Sequence, residues 1–212
     1  MKKVSIIDLE VSNLFSIRGL FDKIGYKSEI IKTQKEFEDI DVLVIPGVGT
    51  FQAAMNFLNK QNLANKIKDY AKQGKPIIGI CLGMQLLFEK SNEFGDCEGL
   101  GLIKGKVTNF SNEKIRTHIG WNQINLNKKN KYIKKFDNFF NLDKEYFYFV
   151  HSYYSIPKDK NLVLSYSEFN SEHFCSSILQ KKILALQFHP EKSSINGINL
   201  IKDFLKLTFK ND

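Results

Sequence analysis

Val42-Leu43-Val44-Ile45, directly after Asp41, is an unbroken apolar run, and it limits the possible folds of this chain more than any other segment. A strand with one wet face alternates polar and apolar residues, whereas a continuous run is the pattern of a parallel strand covered on both faces. Strand and helix signals alternate around it. Lys3 to Asp8 reads as a buried strand. Asn13 is placed to cap a helix whose apolar face is Leu14, Ile17, Phe21 and Ile24, with Gly25 placed to stop it. A second strand covers about Tyr26 to Ile31. Beyond the run at 41–45 comes Pro46-Gly47-Val48-Gly49, after which Thr50 opens a helix through Ala53, Ala54, Phe57 and Leu58. Another helix runs from about Asn62 to Gln73, closed by Gly74 with Pro76 beyond it, and a fourth strand then leads to Cys81. This βαβα order predicts an α/β fold with an open, mostly parallel central sheet and helices on both faces.

The second half changes character. Short aromatic and β-branched runs at Lys106–Phe110, Gln123–Leu126, Tyr146–Val150, Leu162–Ser167, Ser176–Gln180 and Ile183–Phe188 predict antiparallel additions joined by hairpins. A final amphipathic helix is expected over about Ile198 to Phe209. No repeat, low-complexity tract or long linker divides the sequence. With 42% hydrophobic residues, 212 residues can bury a proper core, and 1–212 is expected to form a single domain.

Charge and composition remove several classes of function. The formal net charge of +8 raises nucleic-acid binding as an idea, yet the lysines are dispersed. Their densest run, Lys128 to Lys135, is short and asparagine-rich, which predicts a solvated loop and no nucleic-acid partner. No segment approaches the ~20 continuous apolar residues of a bilayer-spanning helix, so no membrane partner is expected. The opening Met1–Asp8 has too short an apolar part for a signal peptide. Cys81, Cys97 and Cys175 are odd in number and lack metal-ligand spacing. No disulfide framework, metal site or cofactor is expected, and a reducing cytoplasm is the expected location.

The chemistry concentrates at the carboxyl ends of the predicted strands, where open α/β sheets bind ligands. Gly79-Ile80-Cys81-Leu82-Gly83 follows an apolar strand and precedes the helical pattern Met84-Gln85-Leu86-Leu87-Phe88-Glu89. Strand, small residue, Cys, small residue and helix is the layout of a nucleophile elbow, a sharp turn that lifts the side chain clear of the backbone. Helix N–H groups and the helix dipole at such a turn favour a thiolate. A nucleophilic Cys needs a base and a group that orients the base. His189 ends the apolar strand at 183–188 and is followed by Pro190-Glu191; in extended backbone His189 and Glu191 would point to the same side. Gly47-Val48-Gly49, together with the N–H of Leu82, could supply donors for an oxyanion.

In order and separation these pieces resemble the class I (triad-type) glutamine amidotransferases, and among them the glutaminase subunits of imidazole glycerol phosphate synthase. Further matching segments are Glu98-Gly99-Leu100-Gly101, His118-Ile119-Gly120-Trp121-Asn122, Tyr148-Phe149-Val150-His151-Ser152-Tyr153 and Gln187-Phe188-His189-Pro190-Glu191-Lys192-Ser193. The resemblance implies that Cys81 attacks the side-chain amide of glutamine, that His189 shuttles protons, and that Glu191 orients His189. It implies that Gly47, Val48 and Gly49 form the oxyanion strand, and that Gln85 and Ser152-Tyr153 help hold the glutamine. It also implies a (β/α)₈-barrel cyclase partner that receives the ammonia and makes imidazole glycerol phosphate and an aminoimidazole carboxamide ribotide. Two departures bear on that partner. The N-terminal loop, commonly Asp-Tyr-x-x-Gly-Asn in the family, is Asp8-Leu9-Glu10-Val11-Ser12-Asn13, and Thr117 stands where Pro is common. They leave open a paralogous amidotransferase serving an aminated or amidinated surface sugar; a non-catalytic regulatory subunit is the alternative of another class.

Overall fold

The computed structural model describes residues 2–10, 13–111, 117–135 and 141–210; Val11 and Ser12 of the N-terminal loop lie outside them. The first half comprises β1 (Lys3–Ile7), α1 (Leu14–Lys23), β2 (Lys27–Ile31), β3 (Val42–Ile45), α2 (Phe51–Lys60), α3 (Leu63–Lys72), β4 (Ile77–Ile80) and α4 (Leu82–Leu86). There follow β5 (Phe88–Ser91), β6 (Cys97–Glu98), β7 (Ile103–Asn109), β8 (His118–Gln123) and β9 (Asn125–Leu126). The remainder comprises β10 (Tyr146–His151), β11 (Tyr153–Pro157), β12 (Val163–Phe169), β13 (Glu172–Gln180), β14 (Ile183–Leu186) and α5 (Ser194–Lys210).

A mostly parallel core runs in the order β2-β1-β3-β4-β14 and continues through β13, β11, β7, β5 and β6. The five core strands pair in parallel, whereas β14–β13, β13–β11 and β11–β7 are antiparallel. The unbroken run at 42–45 behaves as its pattern requires. Val42 and Val44 enter one buried cluster with Ile17 and Phe21 of α1 and Phe204 and Leu205 of α5. Leu43 and Ile45 enter another with Phe51 and Leu58 of α2 and Ile67 of α3. Alternate side chains of one strand thus serve two cores, because successive Cβ atoms point to opposite faces. Both helices that follow Asn13 and Thr50 start where expected: the Asn13 side chain accepts from the Ser16 N–H, and Thr50 accepts from the Ala53 N–H.

Several boundaries differ from the sequence expectation. The helical pattern after Cys81 stops at Leu86, and the chain returns to the sheet as β5. The carbonyls of Leu86, Leu87 and Phe88 accept from the N–H groups of Leu100, Ile103 and Gly101 at 2.8, 2.9 and 2.9 Å, so tertiary pairing replaces the next helical turn. β5 pairs with β7 in parallel, an exception to the antiparallel reading of this half. β8 begins five residues before the expected run at Gln123, and β11 lies where no strand signal was read. Gly120 and Asn122 are poor strand formers, and they are held extended by the ladder to β10. α5 starts at Ser194, ahead of the expected Ile198. The lysine-rich run is also not wholly solvated: Ile133 and Asn130 are buried, and the Asn130 amide donates to the carbonyls of Leu162, Val163 and Leu179. Among the described residues no helix is long and apolar enough to cross a membrane.

Phe204 is fully buried where α5 covers the sheet, whereas Phe15 on α1 is 89% exposed. Phe204→Ala is expected to cost about 3–5 kcal/mol in urea unfolding, from lost burial and the cavity left behind. Phe15→Ala is expected to stay within about 0.5 kcal/mol of the parent. Equal losses at the two positions would contradict the assignment of the buried faces.

Candidate active site

β4 and β14 run side by side with Ile80 opposite Leu186, and the Cys81 N–H donates to the Leu186 carbonyl at 2.7 Å. Their carboxyl ends therefore project together, with Cys81 just past one and His189 three residues past the other. His189 Nδ1 lies 2.7 Å from Glu191 Oε1, and the two side chains are only 4% and 2% exposed. The link is not made along an extended strand as expected. Pro190–Lys192 forms a tight 3₁₀ turn that brings the carboxylate back beneath the ring. Ser193 Oγ locks this turn by donating to the His189 carbonyl at 2.6 Å and accepting from the Tyr148 N–H at 3.0 Å.

Cys81 has φ 53° and ψ −110°, a backbone state that L-residues rarely adopt and that costs of order 1–3 kcal/mol. Close packing holds it there. A Cβ on Gly83 would collide with the Ile45 carbonyl oxygen at the end of β3. One on Gly47 would stand 2.9 Å from the Gly83 nitrogen. The two glycines meet face to face, so the segment leaving β3 lies directly against the elbow.

The sulfur sits in a polar frame. Cys81 Sγ is 3.6 Å from the Val150 carbonyl and 3.8 Å from Gln187 Nε2. Gln187 Oε1 accepts from Gln85 Nε2 at 3.1 Å, and Gln85 Nε2 also donates to the Tyr153 carbonyl at 2.8 Å. Beside this frame opens a cavity of about 400 Å³, of a size that suits a small polar molecule. Of the residues singled out from sequence, Val48, Gly49, Cys81, Leu82, Gln85, Ser152 and Tyr153 border it. Gly47, His189 and Glu191 do not; together with Val48 they border a separate cavity of about 20 Å³ behind it.

Among the contributors that sequence reading missed are Glu93, Thr117, Val150 and Gln187. Glu93 reaches the main cavity from the turn after β5; it accepts from the Phe51 N–H at 2.6 Å, and burial raises its pKa above the usual carboxylate value, partly offset by that bond. Nothing local marks it, since its place depends on β5 joining the sheet. Thr117 borders the cavity and shares a 2.9 Å hydroxyl contact with Ser152. Val150 contributes its carbonyl, which no side-chain motif can reveal. Gln187 had a signal, a polar residue closing an apolar strand.

His189 is strongly perturbed toward its charged form. Burial opposes its charged form, but the Cys81 sulfur as thiolate and the Glu191 carboxylate outweigh burial and raise its pKa to about 10. Its Nε2 has no partner within hydrogen-bond geometry, and the sulfur acts on it first through charge attraction, with a weaker hydrogen-bond contribution. The arrangement is thus a buried imidazole oriented by a carboxylate, with one ring nitrogen free to exchange a proton beside a thiol. Among the described residues no group of three or more His, Cys, Asp or Glu is arranged to hold a metal ion.

Residues 5–207 match the family model described as "Glutamine amidotransferase class-I". The chain is 41% identical to imidazole glycerol phosphate synthase subunit HisH of Sulfurimonas denitrificans over 96% of its own length and 97% of the relative. It is 40% identical to the protein of the same name from Pyrococcus furiosus, covering 98% and 100% of the two chains. Among solved structures, PurLQS from Thermotoga maritima superposes with a TM-score of 0.73 at 17% identity, over 99% of this chain and 98% of that one. A crystal structure of a glutamine amidotransferase also gives 0.73, at 15% identity over 97% and 98%, a likeness of fold alone. From the elbow at Cys81 to the His189–Glu191 turn, then, this chain belongs to the class I glutamine amidotransferases, and within them to the HisH glutaminase subunits of imidazole glycerol phosphate synthase.

Proposed function

We propose that the chain hydrolyses glutamine through Cys81, His189 and Glu191 and delivers the ammonia to a (β/α)₈-barrel cyclase that uses it in histidine biosynthesis. The observation that carries this reading is the juxtaposition of the Cys81 elbow and the carboxylate-bound imidazole at the ends of two adjacent parallel strands. The Cys81 thiolate attacks the carboxamide carbon, forming the C–S bond and placing negative charge on the amide oxygen. The Leu82 N–H and the Gly47-Val48-Gly49 strand supply the donors for that oxyanion. Protonated His189 gives its Nε2 proton to the leaving nitrogen, the C–N bond breaks, and ammonia departs from a γ-glutamyl thioester. Water then attacks the thioester with His189 as base, releasing glutamate and restoring the thiolate. Glu191 fixes the ring tautomer and supports its charge throughout.

Gln85, Ser152 and Tyr153 hold the glutamine, and Glu93 is the natural counter-charge for its α-ammonium group. Ammonia released into water is protonated near neutral pH and lost as a nucleophile, which favours a shielded route to the acceptor. The side of the molecule around the site exposes Ile119 and Trp121 on β8, Tyr146 on β10 and Ile195 at the start of α5, at 64%, 53%, 53% and 59%. Exposed apolar groups in one neighbourhood suit a partner interface, and we assign the barrel subunit to it. Three free cysteines suit a reducing cytoplasm. The curated relatives named above carry the histidine-pathway name, which favours that synthase over the sugar-modifying paralogue despite the altered loop and Thr117.

The direct test is glutamine hydrolysis by the chain paired with the barrel subunit that co-purifies with it. Cys81→Ala is expected to lower turnover at least ~10³-fold while leaving the pair intact; glutamine-dependent activity that survives in this variant would remove Cys81 as nucleophile. Glu93→Gln is expected to raise KM for glutamine about 10- to 100-fold, the scale of a lost charged hydrogen bond, with a smaller effect on kcat. An imidazole titration by NMR is expected to give His189 a midpoint well above the ordinary ~6.5. Because the folded value is raised, the stability it contributes is complete below pH ~6.5 and is lost as pH rises through about 10. Cys81→Ala should lower the midpoint; a wild-type midpoint at or below ~6.5 would rule out the charge coupling.

A further inference from the structure

β8 and β10 form a two-stranded sheet of their own, with His118 opposite His151. Residues alternate along β8. Ile119 and Trp121 face outward and are exposed, while His118 is buried, 4% exposed, with its ring stacked between those of Phe149 and Phe169 at 4.8 and 4.4 Å. His151 is buried as well and borders the main cavity. Neither imidazole has a part in the chemistry proposed above.

The two rings belong to one hydrogen-bond chain whose direction can be read from its ends. The Tyr153 carbonyl can only accept, so His151 Nδ1, 2.9 Å away, carries the proton. In the neutral ring His151 Nε2 is then an acceptor, and His118 Nδ1, at 3.1 Å, must donate to it. His118 Nε2 is left as an acceptor and receives the Asn122 amide at 3.2 Å. That amide cannot turn over without loss, because its nitrogen also donates to the Glu168 carbonyl at 2.8 Å and its oxygen accepts the Gln123 N–H at 2.7 Å. Every polar atom along the chain has a compatible partner only when both rings are neutral Nδ1–H tautomers. Burial agrees with this state, holding His118 at about 4 and, joined by the repulsion of neighbouring imidazoles, His151 at about 3.

The far end of the chain meets the nucleophile's surroundings. The Tyr153 carbonyl that accepts from His151 also accepts from Gln85, which leads through Gln187 to the Cys81 sulfur. The residue before His151 is Val150, whose carbonyl contacts the same sulfur. We propose that His118 and His151 are positioning residues, a neutral two-imidazole relay that transmits the seating of the partner on the Ile119–Trp121 face to the Val150–Tyr153 segment around Cys81. An apolar pair would fill the same space, but it would not fix the distance and orientation between β8 and the pocket. A directional chain with one permitted proton arrangement does both. This role rests on the partner-coupled glutaminase reading above.

The test uses the chain paired with its co-purified barrel subunit. ¹⁵N imidazole shifts of the wild-type protein should report Nδ1–H neutral tautomers for both residues. His118→Leu keeps bulk and removes the donor to His151; partner-stimulated kcat is expected to fall at least ~10-fold with KM changed less than ~3-fold, at unchanged partner affinity. His118→Asn, whose amide nitrogen takes the place of Nδ1 and can still donate to His151 Nε2, should recover most of the lost rate. Full stimulation in His118→Leu, no recovery in His118→Asn, or an Nε2–H tautomer at His118 would each overturn the relay alone. A wild-type pair that does not hydrolyse glutamine would overturn the reading on which the relay rests.

Discussion

The parallel pairing of β4 with β14 is the contact on which the rest of the site depends. It sets Ile80 against Leu186 and fixes the Cys81 backbone to the Leu186 carbonyl, so that residues more than a hundred positions apart leave the sheet at one point. A shift of that register by one residue would turn the side chains of β14 to the opposite faces and break both buried clusters. The apolar alternation of Ile183, Leu184, Ala185 and Leu186 between the two cores therefore also guards the geometry of the chemistry.

Around that point the molecule stores strain and charge together. Cys81 is held in an unfavourable backbone state because Gly83 and Gly47 let the elbow and the strand exit pack without intervening side chains. His189 and Glu191 are buried as a pair that would be costly apart, since the imidazolium charge is compensated by the sulfur and by Glu191, and the carboxylate by the imidazolium. The electrostatic balance is local: the neighbouring imidazoles His118 and His151 are pushed toward neutrality, while His189 is pushed toward its charged form. One molecule thus keeps histidines in opposite states around one site, and the difference comes from the presence or absence of an acidic partner.

Much of the architecture was legible in the chain itself. The run at 42–45, the caps Asn13 and Thr50, and the alternation of strand and helix marked a parallel sheet covered on both sides, because side-chain periodicity and capping are local properties. The second half was less legible. β8, with Gly120 and Asn122, and the two-residue strand β6 have little intrinsic preference for extension and exist through their partners. The abrupt end of α4 has the same cause, since carbonyls that could continue a helix are taken by the segment at 100–103.

By itself the sequence determined which residue types stand at the strand ends: the elbow Cys81, the His189-Pro190-Glu191 segment and the glycines at 47 and 49. It did so because elbows, turns and close backbone approaches demand particular side chains at short spacing. Only the tertiary structure decided that these ends converge, that Glu191 reaches His189 through a 3₁₀ turn, and that Glu93, Gln187 and the Val150 carbonyl join the site. Those placements follow from strand order and register, and register is set by the burial of side chains far from any of them.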